Sequence, residues 1–131
     1  MNFTWPSLNS GDYESCRWYD SQMSPGVRFA IRRISLAQRI ELVRGVRELS
    51  LKNEFLQSGD SVEQLEASLT DLLVRKLYVE WGLAKITGLN IDGEVADAEL
   101  LISKGPELLV NEIVDTVQAE LGLSDAERKN F

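Results

Sequence analysis

From Gly88 to Glu99 the chain reads Gly-Leu-Asn90-Ile-Asp92-Gly93-Glu94-Val95-Ala-Asp-Ala-Glu99. Counted as a twelve-residue calcium loop, this places oxygen donors third, fifth and twelfth, with glycine sixth. Gly88 stands where the first carboxylate of the cage must be, so no calcium site is expected. Asp92-Gly93 between Ile91 and Val95 is also the signature of a tight hairpin, which explains the same residues with less.

Other chemistry is limited by what the 131 residues lack. There is no histidine, which removes the commonest general base and the commonest transition-metal ligand. The single cysteine, Cys16, has no nearby base or helix terminus to activate it, and it cannot complete a zinc site. No glycine-rich phosphate loop is present. The chain is therefore expected to be no enzyme and to carry no cofactor and no metal.

Arg28, Arg32, Arg33, Arg39, Arg44 and Arg47 form a basic stretch that contains one acid, Glu41. Residues 1–60 carry a net charge of +1 and residues 61–131 a net of −8, within a total of −7. A small nucleic-acid-binding regulator working through Arg28–Arg47 is one reading. An acidic chain is repelled by phosphate, so the arginines are expected to meet the protein's own acidic half, and nucleic acid is not the expected partner.

The elements that would carry these residues can be read from spacing. Residues 1–26 are rich in Ser, Asn, Gly and Pro, yet hold five of the ten aromatics: Phe3, Trp5, Tyr13, Trp18 and Tyr19. They read as an aromatic, loop-rich arm that docks on its own core or on a neighbouring subunit, ahead of one α-rich domain over 27–131. Val27, Phe29 and Ile31 alternate with polar or small neighbours and predict a strand over about 27–34. Ser35 with Gln38 is a capping box that starts a helix at Leu36, with Leu36, Ile40, Leu42, Val43, Val46 and Leu49 on one broad arc. Arg39 and Arg47 fall inside that arc, their stems covering apolar surface or their heads pairing with a carboxylate across an interface.

A second capping box, Ser61 with Gln64, opens a helix predicted to run from Val62 to about Ile86, closed by Gly88. Ten of the fifteen residues from Leu72 to Ile86 are apolar and point all round the axis, so part of their cover is expected from another chain. Leu77, Tyr78 and Trp81 lie here; Trp81 is either an interface anchor or, as the more ordinary reading, a core residue. A hairpin follows over about 89–96, then a short helix capped by Asp97 and closed by Gly105. A last helix opens at Pro106 and stops at Gly122, and Ser124 with Glu127 caps a polar end. The expected fold is mainly α, with three to four helices, one short strand and one small hairpin. The candidate protein interface comprises Trp5, Trp18, Arg39, Arg47, Leu77, Tyr78 and Trp81.

The strand Ser24-Pro25-Gly26-Val27-Arg28-Phe29, the Arg-rich helix, and the segments Leu77-Tyr78-Val79-Glu80-Trp81-Gly82-Leu83, Gly88-Leu89-Asn90-Ile91-Asp92-Gly93-Glu94 and Lys104-Gly105-Pro106-Glu107 have a recognisable order. In this order the chain resembles small tail-assembly-chaperone proteins of bacteriophages and prophages over about 24–130. Phage head–tail connector and minor tail proteins are close competitors. The resemblance implies a non-enzymatic, α-rich, homo-oligomeric adaptor that binds the tape-measure protein or tail-tube subunits. It also implies a longer form made by a −1 ribosomal slip, for which Arg128-Lys129-Asn130 could encode the slippery run. Met1 to Ser10 has no signal-peptide pattern, and no stretch is long and apolar enough for a membrane span. The host bacterial cytoplasm is the expected location, or the virion if the protein is structural.

Overall fold

In the computed structural model of the chain, residues 13–55 and 61–122 are described; within them, residues 52–55, 61–64, 66 and 67 are described by backbone alone. Trp5, the Ser124–Glu127 box and Arg128–Asn130 fall outside the described residues, as do the side chains of Ser61 and Gln64.

Strand β1 (Cys16–Asp20) and strand β2 (Arg28–Arg32) lead into helices α1 (Leu36–Phe55) and α2 (Ser61–Gly82). Strand β3 (Leu83–Thr87), the two-residue strands β4 (Asn90–Ile91) and β5 (Glu94–Val95), and helices α3 (Ala98–Lys104) and α4 (Glu107–Leu121) follow. β1, β2 and β3 form one antiparallel sheet with β2 in the centre, and β4 and β5 pair separately.

The mainly α expectation is overturned by that three-stranded sheet, which makes the described fold mixed α/β. Two segments account for the difference. Cys16–Asp20, read as arm, pairs along its whole length with β2, Trp18 opposite Ala30 and Tyr19 opposite Phe29. Leu83–Thr87, read as the end of the second helix, pairs with the other edge of β2 through a bulge between Ala30 and Ile31. α2 passes into β3 without a loop. The switch comes at Gly82, where α2 lies so close to α4 that a side-chain methyl would overlap Val117. Tertiary pairing overrides the helix propensity of Leu83-Ala84-Lys85-Ile86.

Other local signals act as their chemistry requires. Ser35 and Gln38 exchange hydrogen bonds, Ser35 N–H donating to Gln38 Oε1 at 3.2 Å and Gln38 N–H to Ser35 Oγ at 3.3 Å. Asp92 (φ 51°) and Gly93 (φ 81°) are both left-handed, the backbone a tight two-residue hairpin needs. Asp97 Oδ1 accepts from Leu100 N–H at 2.8 Å and starts α3, while Gly122 (φ 72°) closes α4 in the left-handed region.

One face of the sheet and the inner faces of α2, α3 and α4 share a single core. Phe29, Ile31, Tyr78, Leu101, Leu109 and Ile113 are its largest fully buried side chains apart from Leu42. Glu112 ties α4 to the β1–β2 turn, accepting from Ser21 Oγ–H and from Gln22 N–H, each at 2.6 Å. α1 packs chiefly on α2, with Gly45 against Leu77. Leu42 and Val46 bring α1 into the same core, and its Arg39 reaches the end of α4.

Candidate protein-interaction surface

Two arginines of the basic stretch close helix ends. Arg32 Nη1–H donates to the Trp81 carbonyl at 3.2 Å, in the last turn of α2, and Arg39 Nη1–H donates to the Leu121 carbonyl ending α4. Each cation satisfies an orphan acceptor at the negative pole of a helix dipole. Arg28 instead pairs with Asp20 at 2.9 Å, its guanidinium carbon 5.2 Å from the centre of the Trp18 ring. Arg33 stacks on Tyr13 at 5.7 Å. Among the described residues, Arg32 and Arg39 thus meet backbone carbonyls of the acidic half, Arg33 a ring, and Arg28 a carboxylate of its own half. Arg17 does reach a carboxylate of the acidic half, 3.7 Å from Glu120; its pKa is raised by the hydrogen bond with Tyr19 and then by Glu120.

Of the candidate interface residues that are described, Leu77, Tyr78 and Trp81 cluster at the core, while Trp18, Arg39 and Arg47 lie on other elements. Trp18 lies on the solvent side of edge strand β1, 40% exposed. Arg47 is exposed on α1, whereas Arg39 is half-buried in its α4 bond. Tyr78 is a core residue, and Leu77 and Trp81 are half-buried around it. The all-round apolar segment 72–86 is covered largely from within the chain, because its last part is strand.

The exposed apolar surface lies elsewhere. Among the described residues, seven of the twelve large apolar side chains that stand exposed are on α1 and α2: Leu36, Ile40, Leu51, Leu65, Leu69, Leu72 and Leu73. On α1 they form a second apolar face. Leu36 (76% exposed) and Ile40 (49%) lie about 120° round the axis from the buried pair Leu42 and Val46. The broad arc of the sequence thus divides into a side packed on α2 and a side facing solvent. On α2, Leu65 (71%) and Leu69 (53%) continue along one line into Leu72. That line enters an open groove of about 410 Å³ lined by Leu72, Val79, Ile102 and Val110, with Arg75 and Asn111 at its polar edge. Arg75 is fixed there by Asn111 Oδ1 at 2.8 Å and Glu107 at 3.8 Å.

By spacing, Leu65, Leu69 and Leu72 share one face of α2. Spacing does not reveal that, among the described residues, Leu65, Leu69 and Leu72 stand exposed. Among the described residues no three of the Cys, Asp and Glu side chains come together as a metal site, and no helix is long and apolar enough to cross a membrane.

No family model, no curated protein and no solved structure matches this chain.

Proposed function

We propose that this chain is a non-enzymatic adaptor that binds other proteins through the outer faces of its α1–α2 hairpin. The observation that carries the reading is the row of exposed leucines on two long helices, which a chain working alone would bury. An amphipathic helix laid into such a groove loses its apolar face to the protein and is kept from aggregating. The resemblance to tail-assembly chaperones gives that helix a source: the tape-measure protein or the tail-tube subunits of a phage, bound in the host cytoplasm during assembly. A head–tail connector or minor tail protein would use the same surface within the particle.

The nucleic-acid reading has less support. Arg32 and Arg39 are engaged at helix ends, and Arg28 is paired with Asp20. Binding that is electrostatic in origin would need those cations free.

The test is calorimetric titration of the purified protein with helical segments of a tape-measure protein, chosen from the neighbouring genes where these encode one. Micromolar binding that is lost in Leu69→Glu is the expected outcome. Absence of tail genes from the neighbourhood, together with no heat on titration, would remove the reading.

A further inference from the structure

Two of the exposed large apolar side chains that lie off the α1–α2 hairpin come together. Met23 (58% exposed) stands on the β1–β2 turn and Leu108 (67%) in the first turn of α4, and both line one open groove of about 430 Å³. Tyr19 and Ala119 extend its apolar surface, while Glu112 and Asp115 give it charge. Along α4 the line Leu108, Glu112, Asp115 and Ala119 advances by four, three and four residues, so it keeps within about 60° of the helix circumference. The turn opposite is fixed. Ser21 Oγ–H and Gln22 N–H both donate to Glu112, and Tyr19 O–H donates to Glu120 at 3.0 Å, tying the chain on the near side of Met23 to α4.

Charge in this groove has one sign. α4 carries Glu107, Glu112, Asp115 and Glu120 and no base, and among the described residues no lysine or arginine lines the groove. Arg75 and Arg17 meet Glu107 and Glu120 near the two ends of α4. Between them Asp115 is exposed, and among the described residues it forms no ion pair.

We propose that this groove is a second docking surface, which takes a cationic amphipathic helix of another protein. An apolar side chain of that helix lies against Met23 and Leu108, and a lysine or arginine reaches Asp115. The straight line of small, apolar and acidic positions along α4 suits a helix laid beside it. The methionine thioether adapts to the shape of the apolar anchor. Carboxylates without a neighbouring cation select the charge of the partner, and the chain's net −7 draws a cationic one from a distance and repels nucleic acid. The surface is independent of the α1–α2 hairpin, so an adaptor would hold one protein on each.

Met23 itself reports on the groove. The chain has two methionines, Met1 and Met23, so the full chain with labelled methionine methyls should show two signals, which Met23→Leu assigns. Two helical peptides with the same leucine stripe are titrated in, one flanked by lysines and the other by glutamates. The lysine peptide should shift the Met23 signal, less so at high salt, and the glutamate peptide should leave it in place. Asp115→Lys should weaken this binding about tenfold or more, whereas Leu69→Glu should leave it unchanged, which separates it from binding at the hairpin. No shift with the lysine peptide, an equal shift with both, or indifference to Asp115→Lys would each overturn the proposal. A Met23 signal that moves on dilution of the protein alone would give the groove to a second copy. One that moves in Arg128→Glu without peptide would give it to the chain's own end, and either result overturns the proposal too. Thermal melts check folding, and Asp115→Asn, with a smaller loss in the same direction, repeats the test should the reversed charge not fold.

Discussion

At the scale of single residues, the contact between α2 and α4 depends on a side chain that is not there. Gly82 lets α2 lie on Val117, and Gly82→Ala should cost about 1–3 kcal/mol, measured by urea unfolding, because the added methyl has no room. Adding Val117→Ala should restore part of the loss by opening that space; equal instability in the double variant would refute the account. Arg39→Ala should cost about 1 kcal/mol by exposing the last carbonyl of α4, and Arg39→Lys should recover some of it. Gly88 in the first place of the calcium-like loop has its own use. Its φ of 81° and its approach to the Gly26 carbonyl leave no room for a side chain. Millimolar calcium should therefore leave the melting temperature unchanged, and a rise would contradict the hairpin reading.

At the scale of elements, what was legible depended on whether the signal was local. The Ser35–Gln38 box, the Asp92-Gly93 turn, the Asp97 cap and the Gly122 stop each need only neighbours in sequence, and each forms where the residues place it. β1 and β3 are different, because their pairing is set by β2, which lies eight or more residues away from the one and fifty or more from the other. Nothing in Leu83-Ala84-Lys85-Ile86 distinguishes strand from helix, since Leu83 and Ile86 share a helical face and the bulge at Ala30–Ile31 breaks strict alternation. Amide exchange can separate the two states of this segment. The amides of Leu83–Thr87 that bond to β2 should exchange only on global unfolding, while those near Leu65–Leu73 should open earlier, where few buried neighbours hold the helix. Uniform protection along 65–87 would argue for one continuous helix.

At the scale of the molecule, stability and association should separate. Leu36, Ile40, Leu65 and Leu69 hold their exposure in the folded chain, so polar replacements there should move unfolding by no more than about 0.5 kcal/mol. The same changes should abolish binding if the outer faces of the hairpin are where partners sit. A matched replacement in the core, Ile113→Ala, should instead cost about 2–5 kcal/mol. Charge reversal at Arg47 should weaken association more at low salt than at high salt, because exposed charges are screened beyond about 10 Å at 0.1 M. Equal loss at both ionic strengths would assign Arg47 a packing role.

The central position of β2 has a consequence for how the protein is made. Synthesis delivers β1 and β2 first, but β3 is completed only at residue 87, and α4, with the Glu112 clamp on the β1–β2 turn, comes later still. Until then the nascent chain carries Phe29 and Ile31 on an unfinished sheet with one bare edge, outside the ribosome and in view of other nascent chains. At about 5–20 residues per second that interval lasts several seconds, long beside the microseconds in which a helical hairpin zips. The α1–α2 hairpin therefore has time to form before the sheet beneath it closes. Translation speed through residues 60–110 should then decide how much of the protein reaches its native state and how much is lost to aggregates.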